Sequence, residues 1–145
     1  MTIGDKRNKL MDMAMGKYVA FIDDDDEVAE YYIEDVLKAI DQEPDVVGIS
    51  GVMRWKTKRT RTVNFMFYHT IRNRKWWKSS RGFERCPNHL NPIRSDIARR
   101  FKFESLKHGE DKDWSERLQK SGLLVKEWML SRPVYYYNYD PFKEN

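Results

Sequence analysis

The stretch that decides the fold is GKYVAFIDDDD, residues 16–26, in which a short apolar run passes directly into four aspartates. The run over residues 17–22 has no polar alternation in its centre, a pattern typical of a strand buried on both faces of a parallel sheet. Glu27 extends the acids to five. Because ligands bind outside the carboxyl ends of strands in open α/β sheets, residues 23–27 are the first candidate for a binding site.

The flanking patterns predict alternating helices and strands. Apolar residues at helical spacing predict a helix over residues 5–15, and another after the acids that ends before Pro44. A second apolar strand is predicted over residues 45–52. Further along, the same reasoning predicts two short helices and two short strands, over residues 93–101, 109–122, 123–128 and 133–137. This order predicts an α/β fold with a mainly parallel sheet flanked by helices.

Length and composition restrict the class of protein. The chain has 145 residues, of which 40% are hydrophobic, enough for one domain with a core over residues 1–145. A mean hydropathy of −0.84 and apolar runs of no more than about five residues exclude a transmembrane helix. The sequence begins without an apolar signal region, and the single Cys86 permits no internal disulfide. We therefore expect a cytoplasmic protein.

The charge is distributed unevenly along the chain. Residues 1–53 carry five basic and thirteen acidic side chains, a net charge of −8, whereas residues 54–85 carry eleven basic side chains and Glu84, a net charge of +10. This basic segment should attract nucleotide phosphates, nucleic acid or the head groups of a membrane surface, and charge alone does not choose among them. Residues 57–67 look strand-like, and residues 72–81 are predicted to form an exposed basic loop.

Two tryptophans, Trp76 and Trp77, stand among the basic residues of that loop. They could stack on sugar rings or bases, or assist the capture of phosphates or anionic lipids. The alternative is that they are partly buried anchors beneath a solvated basic loop.

The five adjacent acids need a physical explanation, because like charges repel and each carboxylate loses water if it is partly buried. A divalent cation relieves both effects, since carboxylate oxygens are ligands for Mg²⁺, Mn²⁺ and Ca²⁺. Mg²⁺ usually takes one or two carboxylates and completes its shell with substrate phosphates. The alternative is that the acids favour the N-terminus of the following helix through its dipole. The pattern of an EF-hand loop is absent from the sequence.

Three motifs occur in order along the chain. Residues 4–8 read GDKRN, residues 16–26 are quoted above, and residues 109–111 read GED, followed by Trp114, Arg117, Leu118 and Gly122. Together they resemble the motifs of the GT-A glycosyltransferases of family 2, from residue 4 to about Tyr137. The resemblance implies a Rossmann-like GT-A domain that includes the basic segment 54–85. It also implies a metal-dependent inverting enzyme that moves a sugar from a nucleotide-diphosphate sugar to a hydroxyl of a glycan, lipid or protein.

The resemblance assigns the acidic run to the donor side. Asp23 to Asp25 occupy the DxD position, so Asp23 is expected near the nucleotide ribose and Asp25 on a metal that bridges the diphosphate. That metal would be Mn²⁺ or Mg²⁺, with Asp26 and Asp23 as further candidate ligands. The donor nucleotide would also contact Asp24 and the residues of the first motif, namely Lys6, Arg7 and Asn8.

The resemblance assigns the GED motif to the acceptor side. Asp111 is expected to be the general base that deprotonates the acceptor hydroxyl, with Glu110 as the catalytic residue beside it. From the residues alone, the alternative is that this pair caps the N-terminus of the helix that contains Trp114. His89, Asn91 and Arg94 are further acceptor-site candidates, or members of an ordinary polar loop.

The sequence departs from the family pattern in two places. The family's fold opens with two strands and a helix that form the base pocket, whereas this sequence begins at the helix after them, so we expect a truncated sheet. No histidine follows Asp111 as a metal ligand. Exposed strand edges would favour self-association or a complementing chain. The alternative functions are a noncatalytic or fragmentary GT-A-like subunit that binds a partner and, less favoured because of the acidic first third, a basic nucleic-acid-binding module.

Overall fold

A mixed sheet built around one long strand organises the chain, whose computed structural model describes residues 1–143. The last two residues of the domain predicted over 1–145 lie outside the described residues. The elements, in chain order, are α1 Ile3–Met13, β1 Tyr18–Val19, β2 Glu27–Val28, α2 Tyr32–Ile40, β3 Val46–Lys58, β4 Arg61–His69, β5 Trp77–Ser79, β6 Gly82–Arg85, β7 Ile93–Arg94, α3 Ser95–Ala98, α4 Glu110–Lys120, β8 Glu127–Met129 and β9 Tyr135–Tyr139.

The strand β3 is the centre of this sheet. Its first half is buried, and its second half carries basic residues into solvent. It pairs antiparallel with β4 and β7 and parallel with β8 and β9. The predicted end of this strand at residue 52 is wrong, because the antiparallel hairpin with β4 continues the ladder to Lys58 and Arg61. The strand-like reading of residues 57–67 corresponds to this hairpin.

The prediction of a mainly parallel sheet is also wrong. Five of the eight strand pairings within residues 1–143 are antiparallel. The run that predicted a central parallel strand forms the short edge strand β1, antiparallel to β7 through the pairs Tyr18 with Arg94 and Val19 with Ile93. Apolar continuity reports burial but not strand direction, and here β7 occupies the place where a helix over residues 93–101 was expected. Only the four residues of α3 are helical in that stretch.

Helices form where the apolar spacing predicts them, but α2 does not bury the whole expected stripe of Ile33, Val36, Leu37 and Ile40, because Ile33 and Leu37 are 64% and 56% exposed. Helix α2 buries Tyr32, Val36 and Ala39, at helical spacing, in a core cluster with residues of β3. Helix α4 buries Trp114 and Leu118, four residues apart, in a further cluster. Within residues 1–143, none of the helices has the length and apolar character needed to cross a membrane.

Helix α1 begins earlier than predicted because Thr2 caps it. The Thr2 hydroxyl accepts a hydrogen bond from the Asp5 amide, and the Asp5 carboxylate accepts one from the Thr2 amide. This reciprocal capping box satisfies two backbone donors at the helix start. The same cap holds the first turn of α1 in the orientation that places Arg7 inside the protein, where it is 6% exposed.

Position 51 of β3 requires glycine, because the Phe67 side chain and the Tyr135 backbone lie close to it. A Cβ atom at this position would lie 2.3 Å from the ring of Phe67 and 2.3 Å from the carbonyl oxygen of Tyr135. The missing side chain lets the buried Phe67 ring lie across β3. Neighbouring side chains on this sheet face can therefore pack closely, which matters for the surface described below.

Glu84 fixes the β5–β6 hairpin. Its side chain is buried, and its carboxylate accepts hydrogen bonds from Arg81, Ser79 and Asn73 at 2.6 to 3.2 Å. The hydrogen bond from Arg81, opposed by burial and supported by the Ser79 and Asn73 bonds, lowers the pKa of Glu84 from 4.5 to about 2. The ionised form is therefore the one that stabilises the fold.

The pH dependence of stability should reveal this carboxylate. Because the folded pKa lies below the unfolded one, the Glu84 contribution is complete above about pH 4.5 and is lost as the pH falls towards about 2. Glu84→Gln should lower the free energy of unfolding by about 2 kcal/mol at neutral pH and by much less at about pH 3. Urea unfolding across pH measures this difference. Glu34→Gln, in an exposed pair with Lys38, is the control; an equal loss at both pH values for Glu84→Gln would contradict the assignment.

Candidate functional site

A cleft of about 410 Å³ opens where the acidic loop, the start of α4 and the segment after β6 meet. Because these segments are distant in the sequence, only the folded sheet brings them together. From the three predicted motifs, the cleft collects Arg7, Asp23, Asp24, Asp25, Glu110 and Asp111. The candidate donor and acceptor residues therefore share one cavity.

Asp23 lies at the back of the cleft and is held by three elements. Its carboxylate accepts a hydrogen bond from Arg7 at 3.1 Å and lies 3.4 Å from Nε2 of His89. Its backbone amide donates to the Tyr135 hydroxyl at 3.2 Å. Burial raises the pKa of Asp23, but the hydrogen bond and charge of His89 and the charge of Arg7 outweigh it and lower the value to about 2. Asp23 is therefore a fixed negative charge.

Arg7 joins the two predicted halves of the site. Its guanidinium bonds to Asp23, and its Nε lies 3.5 Å from an oxygen of Glu110. It also lies 5.7 Å from the centre of the Phe21 ring and 6.0 Å from that of Phe103. Both Arg7 and Glu110 are buried, so this ion pair is shielded from solvent and each partner depends on the other.

The other residues of the first motif are not in the cleft. Lys6 is exposed on the outer face of α1. The Asn8 side chain donates to the carbonyl oxygen of Phe103 at 2.8 Å and accepts from the Phe103 amide at 2.7 Å. Asn8 therefore fastens the loop before α4 to α1, and the structure does not place Lys6 or Asn8 beside a donor nucleotide in the cleft.

The acidic run divides into two groups. Asp24 and Asp25 are exposed at the cleft, and within residues 1–143 their carboxylates accept no hydrogen bond and pair with no cation. Asp26 turns away from the cleft. Its carboxylate accepts hydrogen bonds from the Tyr135 hydroxyl at 2.7 Å and from the Asn138 amide at 2.9 Å. Burial, together with the nearby charges of Asp23 and Asp25, raises its pKa to about 6 despite these bonds.

These positions bear on the predicted metal ligands. Among the described residues 1–143, no group of three His, Cys, Asp or Glu side chains is arranged to hold a metal ion. The structure does not place Asp26 beside Asp25 as a second metal ligand, because the Asp26 carboxylate is hydrogen-bonded to Tyr135 and Asn138 of β9. The side chains that fit a hard cation are the unpaired carboxylates of Asp25 and its neighbour Asp24. Mg²⁺ usually takes one or two carboxylate ligands from the protein when phosphates complete its coordination shell.

The GED motif opens α4 at the mouth of the cleft. Gly109 precedes the helix with φ of 81°, in the left-handed region that glycine adopts without strain. Glu110 then turns inward to Arg7, while Asp111 stays half-exposed in the cleft wall. The Asp111 carboxylate accepts a hydrogen bond from the adjacent Lys112 amide at 2.8 Å. The N-cap of α4 is Gly109, and no side chain caps the helix, so the structure does not support the capping alternative for Glu110 and Asp111.

Sequence reasoning missed several cleft residues and proposed others that lie elsewhere. Arg85, Asn88, Tyr137, Lys107 and His108 line the cleft. The alternation of β6 and β9 could have indicated Arg85 and Tyr137, had the register of these strands been known. Of the acceptor candidates, His89 lies in the cleft, whereas Asn91 is fully buried against His69 and Arg94 pairs with Asp45 and Asp96.

Both the sequence and the fold of this chain are similar to those of known glycosyltransferases. The sequence profile described as glycosyl transferase family 2 matches residues 2–108. A solved structure of S. aureus TarS, residues 1–349, superposes with a TM-score of 0.62 and 19% identity over 94% of this chain and 40% of that one. A further structure of S. aureus TarS gives a TM-score of 0.63 and 18% identity over 97% of this chain and 25% of that one.

A third structure is TarS 1–349 in complex with UDP-GlcNAc, with a TM-score of 0.62 and 18% identity over 98% of this chain and 40% of that one. The chain thus spans less than half the length of the proteins whose fold it shares. No curated protein is significantly similar to it in sequence.

Removal of the buried cation should destabilise the fold. Arg7→Met should lower the free energy of unfolding by about 3 kcal/mol, because it leaves Glu110 buried without a partner. In the double variant Arg7→Met/Glu110→Gln, part of this loss should be recovered, which gives a coupling free energy of about 1 to 2 kcal/mol in a double-mutant cycle. Urea unfolding measures all four proteins, with Lys6→Met as the exposed neighbouring control. Strictly additive losses would show that the pair does not interact.

Proposed function

The chain belongs to glycosyl transferase family 2 and has the α/β GT-A fold, and we propose that its cleft transfers a sugar from a nucleotide-diphosphate sugar to a hydroxyl acceptor with inversion at the anomeric carbon. The observation that carries this proposal is that Asp23, Asp25 and Asp111 line one cleft. The UDP-GlcNAc bound to TarS supports a nucleotide-sugar donor here. Because the chain spans only part of TarS, the activity, donor and acceptor are all parts of the proposal.

On the donor side, fixed charges prepare the cleft for a nucleotide diphosphate. Asp23, kept ionised by Arg7 and His89, can accept hydrogen bonds from ribose hydroxyls. Arg7 is already engaged by two carboxylates, so its charge is not available to a diphosphate. Asp25, with Asp24 beside it, would hold a divalent cation, Mn²⁺ or Mg²⁺. That cation would supply the positive charge that stabilises the departing diphosphate.

On the acceptor side, Asp111 is the group that we propose accepts the proton. Its carboxylate is half-exposed in the cleft wall at the N-terminus of α4, where the helix dipole favours a negative charge. As the acceptor oxygen forms its bond to the anomeric carbon, the bond from that carbon to the diphosphate breaks on the opposite face, and the hydroxyl proton moves to Asp111. Glu110, buried against Arg7, is assigned the positioning of Asp111 rather than contact with substrate.

The compartment is a further part of the proposal. Cys86 is buried and its thiol lies 3.1 Å from the Ser115 hydroxyl. Burial raises the pKa of this thiol, so it is an unreactive core residue. A single unreactive thiol is compatible with the reducing cytoplasm that the sequence predicts.

Donor binding should depend on Asp25 and on a divalent cation. Calorimetric titration of the protein with UDP, GDP and dTDP should show binding of one nucleotide in the presence of Mn²⁺ and much weaker binding without it. Asp25→Asn should weaken the metal-dependent binding by more than about tenfold, because the loss of a group that only orients a metal ligand already lowers metal affinity about tenfold. Asp113→Asn, on the outer side of α4 and paired with Arg117, is the matched control. Binding that ignores both Mn²⁺ and Asp25 would contradict the donor assignment.

Turnover should depend on Asp111 without a comparable effect on donor affinity. Asp111→Asn removes the proton acceptor and should reduce kcat by about 10²- to 10⁴-fold, while the nucleotide affinity stays within about threefold of the parent protein. Release of nucleotide diphosphate in the presence of acceptor measures the rate, and calorimetry measures the affinity. Full turnover in the Asp111→Asn protein would remove this residue from the mechanism.

A further inference from the structure

A strip of aromatic side chains leads away from the cleft across one face of the sheet. We define the aromatic strip as Trp55, Phe65, Phe83 and Tyr139. We propose that this strip, with Lys78 and Arg85, binds an acceptor chain of sugar units that carries negative charge, and that it directs one hydroxyl of that chain towards Asp111. The inference rests on the proposed function, since it assigns the acceptor of the same cleft.

The strand register places the strip and the cleft on one continuous face. Along β9, Tyr137 lines the cleft, and Tyr139 lies two residues further on the same face. Tyr137 is level with Met53 of β3, and Tyr139 is level with Trp55. One such step along a strand is about 7 Å, so the strip extends the cleft by about the length of one more sugar unit.

The rings of the strip touch one another in a connected surface. The Trp55 ring centre lies 5.0 Å from that of Tyr139, 6.0 Å from that of Phe65 and 6.5 Å from that of Phe83. Phe65 and Phe83 are half-buried against the core. Trp55 and Tyr139, by contrast, are 36% and 40% exposed. A connected exposed aromatic surface marks a binding site more often than scattered single residues do.

Arg85 connects the strip to the cleft. Its guanidinium lies 4.3 Å from the centre of the Trp76 ring and 5.8 Å from that of Phe83, and it lines the cleft. Within residues 1–143 it pairs with no carboxylate at salt-bridge distance. Burial lowers the pKa of Arg85, and the nearby charge of Asp111 only partly opposes this effect. Arg85 is thus a positive charge between the proposed base and the aromatic surface, with donors available to an anion.

Lys78 places a second positive charge on the strip. It is level with Phe83 across the β5–β6 pair, and its Nζ lies 5.5 Å from the ring centres of Phe65 and Phe83. Three basic residues of the same segment have carboxylate partners, namely Arg54 with Glu27, Lys56 with Asp140 and Arg81 with Glu84. No carboxylate in the described part of the chain pairs with Lys78. Aromatic faces with cations between them fit pyranose units, whose apolar ring faces pack on the aromatic rings while their anionic groups contact the cations.

The test compares oligosaccharide probes that differ in charge. We expect hexagalacturonate, which is anionic, to bind the protein in calorimetry at low salt, and neutral maltohexaose to bind at least about fivefold more weakly. Trp55→Ala should weaken hexagalacturonate binding by about tenfold, because it removes the ring that contacts the other three rings of the strip. Lys78→Gln should weaken hexagalacturonate binding and leave maltohexaose binding unchanged.

Matched controls separate the strip from general surface effects. Trp128→Ala removes a tryptophan of similar exposure, 45%, which lines a separate groove beside Leu130 and Arg132, and it should leave the affinity unchanged. Mn²⁺-dependent nucleotide binding should persist in Trp55→Ala. If the parent protein itself shows no Mn²⁺-dependent nucleotide binding, the donor proposal is refuted and not the acceptor proposal.

Several outcomes would overturn the acceptor assignment. One is a failure of the parent protein to bind either oligosaccharide. Another is equal hexagalacturonate affinity in the parent and in Trp55→Ala. A third is tighter binding of poly(U) RNA than of hexagalacturonate, lost in Trp55→Ala, which would identify the strip as a nucleic-acid surface.

Discussion

The buried ion pair of Arg7 with Asp23 and Glu110 is the interaction on which the site depends. One guanidinium joins α1, the acidic loop and the start of α4, and the partners are largely removed from solvent. Since a buried carboxylate without a partner is strongly destabilising, these three elements cannot move apart independently. The pair therefore fixes where Asp111 stands relative to the acidic loop.

The same ion pair determines the charge of the cleft. The charge of Arg7 is neutralised by Asp23 and Glu110. In the described residues, Asp24 and Asp25 therefore have no positively charged partner. Unpaired carboxylates repel a diphosphate, which is why we propose that a divalent cation binds beside Asp25. At the opposite side, Arg85 carries an unpaired positive charge next to the aromatic strip. In the proposed mechanism the acidic loop receives the donor, and Arg85 contacts the acceptor.

The long strand β3 connects this chemistry to the fold. Its first half supplies core residues such as Ile49, and its second half supplies Trp55 on the strip. Gly51 lies between them and admits the Phe67 ring. A single strand thus carries both the core that holds the sheet together and the surface proposed to receive the acceptor.

Some of this arrangement was accessible from the sequence. The apolar spacing predicted the helices α2 and α4 correctly, and Val36 and Trp114 are buried, but the core covers Tyr32 and leaves Ile33 and Leu37 of α2 exposed. The direction of β1 could not be predicted, because its partner β7 lies more than seventy residues away and burial is the same for either direction. The basic hairpin was also hidden, since Arg59 and Thr60 at its tip carry no strong turn signal.

The sequence motifs indicated several site residues, but they could not show which of these residues lie together in the folded protein. The order of the motifs indicated Asp25 and Asp111, and the fold brings both to the cleft. Neighbours in sequence were harder to separate, because Asp26 and Asn8 belong to the same motifs as Asp25 and Arg7, and only the direction of each side chain in the fold decides which of them lines the cleft. That direction is set by tertiary partners, Tyr135 for Asp26 and the Phe103 backbone for Asn8.

The most direct test of the central claim is an anomalous difference map from crystals of the protein grown with MnCl₂ and UDP. If the proposed donor site is right, a manganese peak lies in the cleft, within coordination distance of a carboxylate oxygen of Asp25 and of the diphosphate. A diphosphate bound in the cleft without such a peak, or a manganese peak remote from Asp25, would contradict it.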